Sequence, residues 1–381
     1  MLFQRVLSLL PVLNQNAYDY SYNYTFRHGL STERIDQLFE LHRILVSTPS
    51  VSFDERAVGY ELSQYLRSQG LTVEHQYVSD TRFNVLAYKG TINETQVLLT
   101  SHIDTVPPHF SYSVSEDGTK IHGRGSCDDK ASVASQVIAF LELVDELEDG
   151  EVSLLFDVGE EYGGDGIRYV EKEVDYHWDT VIFGEPTELK LGVGHKGGCG
   201  GVINVTGFAS HSGYPELGID ANSILIDVLA KLKNLDLPSD DLLGNSSLNI
   251  GLIEGGVAGN VISPHASASL LFRVTGALDQ FPSLVEQTIE ETEYASHIGY
   301  TEYEFKEGPV FFEYKIPGFQ TIVLGYGTNA FTLKKNDIPH KILYGPGTIH
   351  VAHGPNEYVT TDDLIEAVQG YKKLIKWSLE Q

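Results

Sequence analysis

The stretch GRGSCDDKA, residues 123–131, sets Asp128 beside Asp129 among small residues with no helical or strand period of its own. Adjacent carboxylates raise one another's pKa unless a cation or strong donors compensate, and a metal ion is the economical compensator. Other potential ligands are spread along the chain: His102 and Asp104 in SHIDTVPP, Glu160 and Glu161 in GEEYGG, Glu185 in FGEPT and His353 in AHGPNEY. Taken singly, each has an ordinary reading. His102 with Asp104 fits a loop pair, Glu160 with Glu161 a solvated turn, Glu185 a helix cap and His353 a satisfied surface histidine. The aspartate pair is the least ordinary, because its glycines let backbone and carboxylates approach whatever is bound.

The elements that must position these groups are legible as an α/β alternation. Helical spacing runs over residues 32–46 and 54–69, with Gly70 as the stop. Three β-rich apolar runs follow at 96–104, 151–161 and 179–185, separated by helix-like segments at 130–147 and 166–174. Each run ends in histidine or acidic residues, and in open α/β sheets ligands bind outside the carboxyl ends of the strands. From about Gly194 the texture changes to glycine-rich strands, a helix, two more strands and an acidic helix. That order reads as an inserted β-α-β-β-α unit of the ferredoxin-like kind. The expected organisation is a domain with a mainly parallel sheet flanked by helices over 28–193 and 308–381, and an inserted α+β domain over 194–307. The final helix is expected to be capped by Thr361 or Asp362.

Composition narrows the class. Lys plus Arg total 26 against 53 Asp plus Glu, a net charge of -27 that disfavours nucleic acid and anionic membranes as partners. No apolar run approaches the ~18 residues of a membrane span. The two cysteines, Cys127 and Cys199, cannot form a disulfide framework and match no zinc-finger or redox spacing. Residues 1–27 combine Arg5, a short apolar stretch and a Tyr- and Asn-rich segment, in the manner of a signal peptide or of a disordered start. Sequons at Asn23, Asn93, Asn204 and Asn245 would become glycosylation sites on the secretory route. Secretion or vacuolar delivery is the expectation, with a cytoplasmic location if the N-terminal segment is not a signal.

Seven motifs in order, SHIDTVPP, GRGSCDDKA, GEEYGG, GEPT, ASHSGYP, GGVAGNVISP and GPGTIHVAHGPNEYV, resemble the co-catalytic di-zinc peptidases and amidohydrolases. That family includes acetylornithine deacetylase, aminoacylase, succinyl-diaminopimelate desuccinylase and the glutamate carboxypeptidases. The resemblance runs from about Leu38 to the end of the chain and extends to secreted or vacuolar fungal-type carboxypeptidases. It implies that Asp128 bridges two zinc ions, with cobalt or manganese as substitutes. His102 and Glu185 would complete one ion's ligands, and Glu161 and His353 the other's. His350 competes for the last place, but the family's histidine directly precedes the GPNEY stretch. The resemblance further implies a cis peptide at Asp128–Asp129, Glu160 as general base and Asp104 as the group that orients His102. His211 would donate to the oxyanion, reaching the other subunit's site in dimeric members. Asn260, Arg273 and the backbone of Gly345 to Gly347 match positions that bind a substrate carboxylate. The inserted domain then reads as a lid that mediates homodimerisation.

The expected activity is zinc-dependent hydrolysis of a peptide or amide bond. A carboxypeptidase releasing C-terminal amino acids from small peptides leads. An N-acyl-amino-acid deacylase such as acetylornithine deacetylase is the alternative within the same chemistry, and a non-catalytic, metal-stabilised binding protein is the alternative outside it.

Overall fold

The computed structural model describes residues 29–92, 95–334 and 338–381. The expected signal segment, Asn23 and Asn93 lie outside them. The chain divides into two compact units, one made of residues up to Gly192 with Phe312–Thr321 and Thr332–Gln381, the other of Val193–Phe311 with Ile322–Phe331.

In chain order the first unit begins with α1 (Thr32–Ser47), α2 (Arg56–Ser68), β1 (Thr72–Tyr77), β2 (Phe83–Tyr88) and β3 (Val97–His102). It continues with α3 (Lys130–Leu143), β4 (Val152–Asp157), α4 (Asp165–Glu173) and β5 (Thr180–Phe183). The second unit supplies β6 (Gly197–Thr206), α5 (Ala221–Lys233), β7 (Ser247–Gly255), β8 (His265–Val274), α6 (Gln280–Glu290) and β9 (Ile298–Glu302). The first unit then closes with β10 (His340–Leu343) and α7 (Thr361–Ser378).

The first unit is built on a six-stranded sheet in the order β1-β2-β4-β3-β5-β10. β3 pairs in parallel with both β4 and β5, and β5 in parallel with β10, while β1 and β2 form an antiparallel margin. β3, β4 and β5 are buried along their whole lengths, which is why their sequences read as continuous apolar runs rather than alternating ones. The register sets His102 opposite Asp157 and Thr100 opposite Phe183. Parallel pairing therefore brings the carboxyl ends of all three runs to one edge. α3 is buried nearly all round and packs against β3, α1 and α7, its small and apolar residues interrupted by the buried polar Lys130, Ser132, Ser135 and Gln136.

Ser31 caps α1, its hydroxyl accepting the Arg34 N–H at 3.2 Å. One turn before the end of α1, buried His42 sets Nε2 2.9 Å from the Ser126 carbonyl oxygen. Burial pushes its pKa down to about 4, so the neutral ring is the donor. The helix is thereby fastened to the loop that carries Asp128. α7 starts one residue earlier than expected of its cap: Thr360 is still extended, and its side chain accepts the Asp363 N–H at 3.0 Å.

The second unit has the order β-α-β-β-α-β and an antiparallel sheet arranged β7-β8-β6-β9, the ferredoxin-like topology. β8 alternates inward and outward, and Ala266, Ala268, Leu270, Phe272 and Val274 share a core with Val228, Phe281 and Val285. The expected β-α-β-β-α order stops at the acidic helix and lacks β9, whose five residues pair with β6. The division of the chain differs from the expected 194–307: Val193 and residues 308–311 and 322–331 join the second unit. Val310 and Phe311 pair with His195 and Gly194, and the Thr328 hydroxyl lies 3.0 Å from His195 Nε2. Among the described residues no helix is long and apolar enough to cross a membrane.

Candidate active site

His102, the last residue of β3, is buried and turns Nε2 to 3.0 Å from Asp128 Oδ1. The other oxygen of the same carboxylate, Oδ2, lies 3.4 Å from His353 Nε2. That nitrogen is also 3.0 Å from each carboxylate oxygen of Glu161. Asp128 thus stands between two imidazoles with one oxygen facing each. The Asp128–Asp129 peptide is cis.

The loops that meet here are far apart in sequence, and a buried ion pair joins them. Arg124 donates to Glu357 Oε2 at 2.7 Å, and Glu357 Oε1 accepts the backbone N–H groups of Cys127 and Asp128 at 3.0 and 3.1 Å. The Arg124 guanidinium also reaches the carbonyls of His353 and Gly354. One pair therefore fixes both the residue between the imidazoles and one of the imidazoles. The approach of the chain at Gly347 requires glycine: its φ is +76°, and a Cβ would fall 2.5 Å from Cys127 Sγ. Burial, reinforced by the charge of Asp128, holds the Cys127 thiol well above its usual pKa, so it packs as a small neutral side chain. Both cysteines are free thiols.

Asp104 is buried and accepts three donors: Ser52 Oγ at 2.7 Å, the Glu160 N–H at 3.0 Å and the Glu161 N–H at 3.3 Å. His102 Nδ1 is 3.4 Å from Asp104 Oδ1 but 3.0 Å from the Asp104 carbonyl oxygen. The family resemblance assigns this carboxylate to His102. The structure adds a second task, pinning the turn that presents Glu160 and Glu161. Glu185 follows β5 by two residues and is buried.

Charge is the dominant feature of the site. Burial pushes the carboxyls of Glu160, Glu161 and Glu185 above their usual range, and the neighbouring carboxylates add to the rise. Burial also acts on Asp128, but His102 and His353 outweigh it and hold that carboxyl well below the usual range. Reciprocally, Asp128 and Glu161 raise His353 to about 10. His102 is raised as well, because Asp104 and Asp128 overcome its burial. Ligand atoms of His102, Asp128 and Glu161 all lie within 4.8 Å of one another. A mixed nitrogen and oxygen set, rich in buried anionic charge, fits divalent ions.

The remaining expected residues divide. His350 is exposed and influences Glu188, leaving His353 as the histidine brought to Asp128. In the second unit, His211 and Asn260 are exposed neighbours, joined by the Ser212 N–H donating to the Asn260 carbonyl at 3.1 Å. Arg273 lies near the far end of β8, eight residues beyond His265 and hence about 25 Å along the strand. Asn260 and Arg273 are therefore not brought together within one copy of this unit. The glycine loop needs a correction too: the Gly345 N–H already donates to Thr187 Oγ1 at 2.9 Å, and Pro346 has none. Only the Gly347 N–H is left for a ligand on that loop. Asn204 and Asn245 are exposed. Sequence reasoning assigns no role to Ser52, Arg124 or Glu357, although Arg124 and Glu357 sit inside motifs quoted for their neighbours.

Residues 98–377 match the model of "Peptidase family M20/M25/M40". The chain is 45% identical over 350 residues to a peptidase M20 domain-containing protein of Schizosaccharomyces pombe, covering 90% of this chain and 85% of that one. It is 43% identical over 379 residues to a probable carboxypeptidase of Aspergillus oryzae, covering 90% of each. The fold is shared with a tripeptidase from Staphylococcus aureus, at a TM-score of 0.77 and 21% identity over 91% of this chain and 99% of that one. The chain belongs to peptidase family M20/M25/M40. It is a peptidase-family hydrolase with a candidate metal site.

The Arg124–Glu357 pair generates a test. Glu357→Gln keeps the side-chain volume but replaces one acceptor oxygen with a donor, so the backbone of Cys127 and Asp128 or Arg124 loses its partner. Chelator competition should show divalent-ion affinity lowered by ~10–100-fold. Unchanged affinity would show that the pair does not position the ligands.

Proposed function

We propose that the protein is a carboxypeptidase that uses two zinc ions to release C-terminal amino acids from small peptides. The observation that carries this reading is the Asp128 carboxylate, one oxygen toward His102 and the other toward His353. The name of the Aspergillus oryzae relative supports the choice of carboxypeptidase among the peptidases. His102, Asp128 and Glu185 would hold one ion, and Asp128, Glu161 and His353 the other. When bound, such ions supply the positive charge that polarises a scissile carbonyl and acidifies water.

The chain's own groups do the rest. Glu160, with its backbone fixed on Asp104 Oδ1, takes a proton from the attacking water onto its carboxylate and delivers it to the nitrogen of the leaving amine. The Gly347 N–H is the loop's donor for the free carboxylate of the released residue. His211 donates to the developing oxyanion of a partner subunit's site. The separation of Asn260, in the turn before β8, from Arg273 near the far end of that strand favours this arrangement, since one substrate carboxylate would meet them only from two subunits. The surface for a second copy would be the outer strand β7, with exposed Leu252 and Ile253.

A panel of dipeptides, their C-terminal amides, and N-acetyl and N-succinyl amino acids tests the activity. Free-acid dipeptides should have the highest kcat/KM, with the amides ~30–1000-fold lower. Preferred cleavage of N-acetyl amino acids would make the protein a deacylase, and bound metal without any turnover a binding protein. Glu160→Ala should abolish turnover while retaining zinc, whereas Asp128→Ala should lose both. Equal loss of zinc in the two variants would overturn the assignment of base and ligand.

The subunit assignment has its own test. His211→Ala should lower kcat by ~10²–10³-fold. Verified heterodimers of a His211→Ala chain with a Glu160→Ala chain should regain activity, since one site then has both groups intact. No recovery would place His211 outside the partner's site.

A further inference from the structure

Beside the carboxylate cluster stands a pair of aromatic rings with no part in the chemistry above. Phe53 and Tyr162 are 55% and 69% exposed, and their rings meet edge to face with centroids 5.1 Å apart. Both are tied to the same atom. Ser52, the neighbour of Phe53, donates to Asp104 Oδ2 at 2.7 Å, and Glu161, the neighbour of Tyr162, donates its N–H to that oxygen at 3.3 Å.

The rings are held, and one of them at a conformational cost. Phe53 has φ +78°, a left-handed conformation that a bulky residue rarely adopts. Its N–H donates to Glu55 Oε1 at 2.9 Å. Arg82 lies 4.9 Å over the ring, locked by two 2.8 Å hydrogen bonds to Glu55 and one of 2.6 Å to Asp165. Glycine would satisfy this backbone without strain. A large apolar side chain kept in a strained, exposed and immobilised position beside catalytic groups is the pattern of a binding residue.

We propose that Phe53 and Tyr162 form an aromatic subsite that receives an apolar or aromatic side chain of the peptide residue on the acyl side of the scissile bond. The proposal rests on the peptidase reading above. The acyl side follows from the division of elements: the released residue's carboxylate is assigned to Gly347, in a loop bonded to Thr187 and Glu188. Phe53 and Tyr162 belong to the Asp104 elements instead. Two rings in fixed edge-to-face contact offer a third ring the same offset or perpendicular packing they make with each other.

The test compares kcat/KM for N-acetyl-Phe-Leu with N-acetyl-Ser-Leu, and for N-acetyl-Leu-Phe with N-acetyl-Leu-Ser. Wild type should favour phenylalanine over serine on the acyl side by about tenfold or more. Phe53→Gly should erase most of that preference through KM without lowering the melting temperature, because the left-handed backbone suits glycine. Phe53→Tyr should keep the preference, and Tyr162→Ser should reduce it. Hydrolysis with an unchanged ratio in Phe53→Gly and Tyr162→Ser would overturn the subsite, as would a change confined to the released residue. Failure of wild type to cleave any of the four would overturn the peptidase reading, and the subsite with it.

Discussion

Like charge held away from water is the constraint around which the site is organised. Asp104, Asp128, Asp129, Glu160, Glu161 and Glu185 all collect near the carboxyl ends of three parallel strands, and two imidazoles are the cations facing them. Unit charges about 4 Å apart repel by roughly 4 kcal/mol even at an effective dielectric of 20. Each carboxylate therefore needs a specific answer. Asp104 has three donors. Asp129 is fully buried, and burial lifts its pKa to about 8, the direction that keeps it neutral. Asp128 has an imidazole at each oxygen. Glu160, Glu161 and Glu185 remain raised, and divalent ions are the charge that fits among them.

The fold meets this constraint with rigid parts. Parallel pairing levels the strand ends, so that His102, the Glu160–Glu161 turn and Glu185 arrive together without long connecting loops. The loops that carry Asp128 and His353 are far apart in the unit's sequence, and Arg124 with Glu357 clamps them. A buried ion pair of this kind is a poor source of net stability, since desolvation offsets much of its attraction. Its return here is geometric: removing Glu357 would leave the guanidinium without a counter-charge and two backbone donors without their acceptor.

Much of this arrangement is legible in the sequence because it depends on local pattern. Continuous apolar runs mark the buried parallel strands, and the polar residues that end them are His102, Glu160, Glu161 and Glu185. The seven motifs distinguish His353 from His350, three residues apart, where neither spacing nor composition does. What stays hidden depends on contacts remote in sequence. Glu357 bonds residues some 230 positions away, and nothing within its own stretch announces that. The Gly345 N–H is spent on Thr187, 158 positions back. β9 escapes a reading by periodicity because IGYTE is too short to show a period, and residues 322–331 change units through pairing that no local propensity records. The left-handed backbone under Phe53 is a further case, since sequence rules expect glycine or asparagine there.

We propose that Asp128 would join two metal ions, one on the His102 side and one on the His353 side. Anomalous-difference maps from crystals of the metal-loaded enzyme, collected on either side of the zinc absorption edge, test it most directly. Two peaks are expected, flanking the Asp128 carboxylate, one beside His102 and Glu185 and the other beside Glu161 and His353. A single peak, or two peaks of which only one contacts Asp128, would contradict the account.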